Sequence, residues 1–138
     1  KDLSEKDEIY LPAGEAAFIW TDVENIAECT AIAHLEFETL KNKALVITGQ
    51  EQLNFKQVAK IISEKTGKKI EYHSPNLLAF IFRKYKEGVP FTFIMVLILL
   101  HFLPRFQKTP PLSSVYEQLT GKNPTTLGEF VERTFNTA

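Results

Sequence analysis

The sequence predicts a helix-rich α/β fold, with few strands and about six helices. Three observations lead there. Short apolar strand candidates alternate with helix-period segments through the first half, the pattern of β-α-β crossovers. After residue 73 the pattern turns entirely helical. The 138 residues are 44% hydrophobic and 24% charged, an ordinary globular balance that excludes disorder and low-complexity architecture.

Lys1 to Glu8 is charged and reads as an exposed helix or loop. Ile9-Tyr10-Leu11 is a strand candidate stopped by Pro12 and Gly14. Ala17-Phe18-Ile19-Trp20 is a second, running into Asp22, whose carboxylate suits the cap of a helix. Val23, Ile26, Ala27, Thr30, Ala31 and His34 then recur at helical spacing, an amphipathic helix to about Leu35. Leu40 to Lys43 is a polar turn. Ala44 to Thr48 is a continuous apolar run ended by Gly49, the signature of a parallel strand covered on both faces.

Asn54 and Gln57 form a capping box for a helix that buries Phe55, Val58, Ala59, Ile61 and Ile62 and ends at Gly67. Ile70 to His73 alternates and reads as a half-exposed strand. Ser74-Pro75 opens a helix, with Pro at its first position, carrying Leu77, Leu78, Phe80, Ile81, Phe82 and Tyr85 to Gly88. Pro90 begins a helix apolar on all sides, FTFIMVLILLHFL from Phe91 to Leu103, broken only by Thr92 and His101. It is shorter than the roughly 20 residues a membrane span needs, so it must be covered by protein. After a linker at Lys108 to Pro111, Ser114 with Glu117 and Thr126 with Glu129 form two further capping boxes, for a short helix closed by Gly121 and a last helix through Phe135.

A lone buried parallel strand has no ladder partner, and an all-round apolar helix has no cover. The chain therefore reads as one partial domain, 1–138, cut from something longer: a strand and helix part (1–73) and a helical lobe (74–138). The formal charge of −1 lacks the footprint of a nucleic-acid binder. Cys29 is the single cysteine, which excludes an internal disulfide and argues for a reducing, cytoplasmic setting.

The six glycines, at 14, 49, 67, 88, 121 and 128, form no G-x-G-x-x-G between a strand and a helix, and no phosphate-binding loop is present. His34, His73 and His101 match no metal-ligand spacing. His34 suits a helix end and His73 a surface position, whereas His101, inside the apolar helix, needs a hydrogen-bond partner in the core or faces a ligand cavity. Cys29 reads as a small buried residue, not a nucleophile. No catalytic, cofactor-binding or metal-ligating residue is assigned. The aromatic and apolar side chains Phe18, Trp20, Tyr85, Phe91 and Met95, with His101, are the candidate substrate pocket, although core packing alone would also account for most of them.

Three stretches carry a family resemblance. PAGEAAFIWTDVENIAE (Pro12 to Glu28) resembles the P-A-G … F-I-D-V-R-D-I-A stretch of NmrA-like atypical short-chain dehydrogenase/reductases. ALVITGQEQLNFKQVAKIISEKTGKKIEY (Ala44 to Tyr72) is similar to their Y-x-L-T-G-P-E-A-L-S-F-x-E-V-A … L-G-x-x-I-x-Y stretch. LTGKNPTTLGEFV (Leu119 to Val131) is similar to their closing G-R-P-P-R-T-F-x-E-F-V. Asn25 stands where the family has a second Asp.

The resemblance implies the carboxy-terminal half of a Rossmann-type NAD(P)-binding protein, the glycine-rich loop lying in the amino-terminal half. It implies that Leu45 to Thr48 joins an edge of the main parallel sheet, and that Phe18 to Trp20 pairs with Ile70 to His73 in a satellite sheet. NAD(P) belongs to the full-length parent, with none expected for this chain alone. No tyrosine here has the lysine four residues on that would lower its pKa. The implied function is the substrate lobe of a quinone-reductase-like oxidoreductase or redox sensor, inactive by itself, acting on a small planar apolar substrate. The alternative is a non-catalytic interaction module in which a second copy covers the apolar helix as a dimer. Attachment of that helix to a membrane surface is a third reading.

Overall fold

The computed structural model describes residues 2–135. Its elements in chain order are α1 (Asp2–Lys6), β1 (Glu8–Tyr10), β2 (Ala17–Trp20), α2 (Val23–Leu35), α3 (Phe37–Leu40), β3 (Glu51–Asn54), α4 (Phe55–Thr66), β4 (Glu71–His73), α5 (Leu77–Lys86), α6 (Phe91–Phe102), a 3-10 turn (Leu103–Phe106), α7 (Val115–Thr120) and α8 (Leu127–Phe135). The class is helix-rich α/β, as the sequence predicts. The chain forms two compact units that interleave along it, residues 1–18 with 53–109 and residues 19–52 with 110–138.

The strands form two short sheets, and both differ from expectation. β1 pairs in parallel with β4, Ile9 opposite Tyr72 and Tyr10 opposite His73, and β2 pairs with β3. The satellite pairing of Phe18 to Trp20 with Ile70 to His73 is therefore not formed: β1 has taken β4. Leu11 N–H continues that ladder by donating to the His73 carbonyl at 3.2 Å.

The larger correction concerns Ala44 to Thr48, which lies in no strand. Leu45 is 36% and Val46 64% exposed. Only the end of the run is tied down, Thr48 Oγ1 accepting from Ser113 N–H at 2.9 Å. A run apolar on both faces becomes a strand when ladders flank it, and no described strand lies beside this one.

In the first unit, Phe80 of α5 and Ile94 of α6 are completely buried and Ile98 nearly so, with Tyr10, Leu11, Leu77, Ile81 and Phe102 packed around them. The Tyr10 ring stacks on Phe80 at 6.0 Å. At the open end of α5 a charged cluster closes this core. Glu87 receives Lys6 and Lys84 at 2.9 Å and Arg83 at 3.2 Å, and Arg83 also pairs with Glu8 while lying 3.9 Å from the centre of the Tyr10 ring. Lys84 is a buried cation, and Glu87 is its counter-ion. The three cations, Lys6 foremost, hold the Glu87 carboxyl down to about 2.

α4 has the predicted capping box, Asn54 Oδ1 accepting from Gln57 N–H and Gln57 Oε1 from Asn54 N–H, both at 2.9 Å, and it ends at left-handed Gly67. The box at Thr126 and Glu129 is also present. The one at Ser114 is not: Ser113 Oγ accepts from Val115 N–H instead. α5 starts two residues later than Pro75, at Leu77, because Asn76 Oδ1 caps Ala79 N–H at 2.8 Å.

Candidate ligand-binding cleft

The best-formed cavity, of about 260 Å³, belongs to the second unit and lies where β2 runs into α2 and where α8 begins. Trp20, Val23, Leu127 and Phe130 give it apolar walls, and Thr125 and Asp22 lie at its edge. Its shape depends on a close backbone approach. A Cβ at Gly49 would come within 1.8 Å of the Trp20 carbonyl oxygen, so glycine is required there, and Gly49 N–H donates to Thr21 Oγ1 at 3.0 Å.

Asp22 fulfils the cap expected of it. One carboxylate oxygen accepts from Glu24 N–H at 3.1 Å, and the other takes Arg133 of α8 at 2.7 Å. Arg133 reaches Glu24 as well, so one guanidinium fastens α8 to the start of α2. At α8, Leu127 N–H donates to Glu51 and Thr126 N–H to Glu129, both at 2.7 Å. The N–H groups that a phosphate would use at these two helix starts thus already face carboxylates. With its volume near the small end of ligand cavities, the cleft suits one flat apolar ring system rather than a dinucleotide.

Beneath the cleft lies a polar core that the sequence reading missed. Asn25 is buried on α2. Its Oδ1 accepts from Thr125 N–H at 2.9 Å, and its Nδ2 donates to Tyr116 Oη at 3.0 Å and Thr125 Oγ1 at 3.1 Å. Tyr116 donates in turn to Glu28 at 2.7 Å, and Lys122 completes the chain at 2.7 Å. The Lys122 and Tyr116 hydrogen bonds hold the Glu28 carboxyl below its usual range, while burial, then Glu28, pushes the Tyr116 phenol up. An Asp at position 25 would accept the Thr125 bond but could not donate either of the others when ionised. The departure from the family pattern is thus matched by its surroundings. Nothing local could have exposed it, since the partners lie about 90 to 100 residues away.

The candidate pocket residues do not converge on this cleft. Trp20 lines it. Phe18 belongs to an aromatic group in the first unit, 5.3 Å from Phe55 and 6.2 Å from His101 between ring centres, with Phe55 also 5.8 Å from Tyr72. His101 Nδ1 lies 2.7 Å from the Leu97 carbonyl, which only accepts, so Nδ1 carries the hydrogen. Tyr85, Phe91 and Met95 are exposed on α5 and α6.

The other singled-out residues have structural surroundings. His34 is exposed in the last turn of α2, and His73 Nε2 lies 3.5 Å from the Glu71 carboxylate at the surface. Cys29 is buried, which pushes its thiol up, away from the reactive thiolate. Among the described residues no group of three His, Cys, Asp or Glu is placed to hold a metal ion, and no helix is long and apolar enough to cross a membrane.

No family model matches the sequence. Prestalk A differentiation protein A of Dictyostelium discoideum is 23% identical over 128 residues, 93% of this chain and 42% of that protein. NAD(P)H azoreductase of Xenophilus azovorans is 33% identical over 70 residues, 51% of this chain and 24% of the enzyme. Among solved structures, the triphenylmethane reductase of a Citrobacter species superposes with a TM-score of 0.81 at 22% identity, over 96% of this chain and 46% of the reductase. An NADPH-dependent quinone oxidoreductase of Escherichia coli gives 0.75 at 19%, over 96% and 48%. The chain thus spans less than half the length of each. Its fold is that of part of an NAD(P)-dependent reductase, consistent with the carboxy-terminal half that the NmrA-like resemblance implies.

Proposed function

We propose that this chain is the substrate-lobe portion of an NmrA-like NAD(P)-dependent oxidoreductase, and that it has no activity alone. The observation that carries the reading is the coverage: nearly the whole chain superposes on less than half of a reductase. The uncovered surfaces agree. Val23 and Ile26 of α2 are 70% and 46% exposed, and Ala44 to Val46 is exposed and lies in no strand, in the same unit. An amino-terminal Rossmann half would bury the first and add the second to its parallel sheet.

In this division of labour the missing half holds the nicotinamide cofactor, and the cleft lined by Trp20 and Phe130 receives a planar apolar substrate of the quinone class. Trp20 would stack on the ring while Thr125 supplies a hydroxyl at its edge. Calorimetric titration with NADPH tests the reading: this chain gives no saturable heat. Binding at micromolar concentration would overturn it.

A further inference from the structure

We propose that the Trp20 cleft selects a ligand that presents carbonyl oxygens, because two threonine hydroxyls in its wall are held as hydrogen donors, and that Asn25 is the positioning residue for one of them. This deepens the proposed function and rests on its reading of the cleft as the substrate site. The walls are apolar, and the polar side chains of the lining are Thr21, Asp22, Thr125 and Thr126. Two of these are already engaged. Asp22 accepts from Glu24 N–H with one oxygen and from Arg133 with the other. Thr126 donates its hydroxyl hydrogen to Glu129 at 2.8 Å and accepts from Glu129 N–H at 3.2 Å.

Thr21 and Thr125 are different. Thr21 Oγ1 accepts from Gly49 N–H at 3.0 Å, and Thr125 Oγ1 accepts from Asn25 Nδ2 at 3.1 Å. Among the described residues, neither hydroxyl donates a hydrogen bond. An oxygen that accepts a hydrogen bond is polarised into a better donor, so each O–H is strengthened and available. The Asn25 amide has one workable orientation. Its oxygen must face Thr125 N–H, which only donates, and its Nδ2 meets Tyr116 Oη, whose own hydrogen goes to Glu28. The buried amide thereby sets the sense of the Thr125 hydroxyl. An ionised carboxylate in its place, as in the NmrA-like pattern, would draw the hydroxyl hydrogen to itself and leave Thr125 only lone pairs to offer. A quinone brings acceptors alone. Its hydroquinone brings O–H hydrogens as well, and these find the Asp22 carboxylate already engaged. For a reductase, that order favours entry of the oxidised substrate and release of the reduced product.

Calorimetric titration of the chain with duroquinone and with durohydroquinone, under argon, tests this. Duroquinone has no free ring position to which a thiol could add. Trp20 is the only tryptophan, so saturable quenching of its emission locates the ligand in the cleft. The quinone binds about tenfold more tightly than the hydroquinone, within what two neutral hydrogen bonds supply. Thr125→Ser keeps that ratio, Thr125→Val lowers it to about threefold, and Asn25→Asp lowers it to about one. A greater loss at Asn25 than on deleting the hydroxyl itself is an order that a merely structural role does not produce. Should Asn25→Asp fail to fold, the two Thr125 variants decide. Equal binding of both forms by the parent chain, or the parent ratio in Thr125→Val, overturns the donor assignment and leaves the cleft a substrate site. The parent ratio in folded Asn25→Asp overturns the role of Asn25. Failure of both compounds to bind, or binding without quenching of Trp20, overturns the reading of the cleft itself and this proposal with it.

Discussion

The two units are built on opposite principles. In the unit of residues 1–18 and 53–109, apolar packing supplies the centre, Phe80 and Ile94 fully buried, and the buried cation Lys84 is met by Glu87 at one end of α5. In the unit of 19–52 and 110–138, polar groups share the centre with Val131 and Cys29: Asn25 and Tyr116 are buried and joined by a hydrogen bond, Asp22 takes Arg133, and Thr48 bonds Ser113. α2 turns Asn25 and Cys29 inward and leaves Val23, Ile26 and Leu35 outside. In both units an apolar face is left in contact with solvent, on α2 in one and on α6 in the other. An apolar stripe therefore marks a face that some neighbour covers, and that neighbour need not be the rest of the same unit.

The comparison breaks most readily at Phe80. Phe80→Ala removes a completely buried ring and costs about 4 kcal/mol in thermal or urea unfolding, with amide exchange rising first in α5 and α6. If α7 and α8 open equally early, the units are not separately stabilised. Asn25→Asp comes next, at about 2–3 kcal/mol. It strands two acceptors and brings a second carboxylate toward Glu28, so its exchange signature falls on α2 and α7.

Acid sharpens the contrast within the first unit. Glu87 titrates near 2 in the folded chain and 4.5 is its ordinary value, so its contribution is complete above pH 4.5 and is lost as pH falls toward 2. Glu87→Gln flattens that slope and costs about 2 kcal/mol at neutral pH, because the buried Lys84 loses this carboxylate. The smallest effect is expected at Val46. Val46→Thr changes stability by less than about 0.5 kcal/mol, since the side chain is mostly in water. A larger loss would mean that the segment is already paired in solution.

Local signals were read correctly where the physics is local. The capping boxes at Asn54 and Thr126, the cap at Asp22 and the left-handed terminators at Gly67 and Gly121 involve groups within a few residues of one another. The box at Ser114 failed because Ser113, one residue earlier, offered its hydroxyl first. Of the candidate pocket residues, Trp20 lines the cleft; the network beneath it was invisible because Asn25 and Thr125 are brought together only by folding.

By itself the sequence determined the class, the main helices, the caps at Asp22, Asn54 and Thr126, and the presence of a helix too apolar to stand alone, because each follows from residue order over a turn or two. Tertiary structure alone decided that β1 rather than β2 takes β4, that α2 shows its aliphatic side to solvent, and that residues 44–48 stay out of any sheet. Ladder pairing and the choice of an inward face depend on which distant segments are there to receive them, and periodicity carries no record of that.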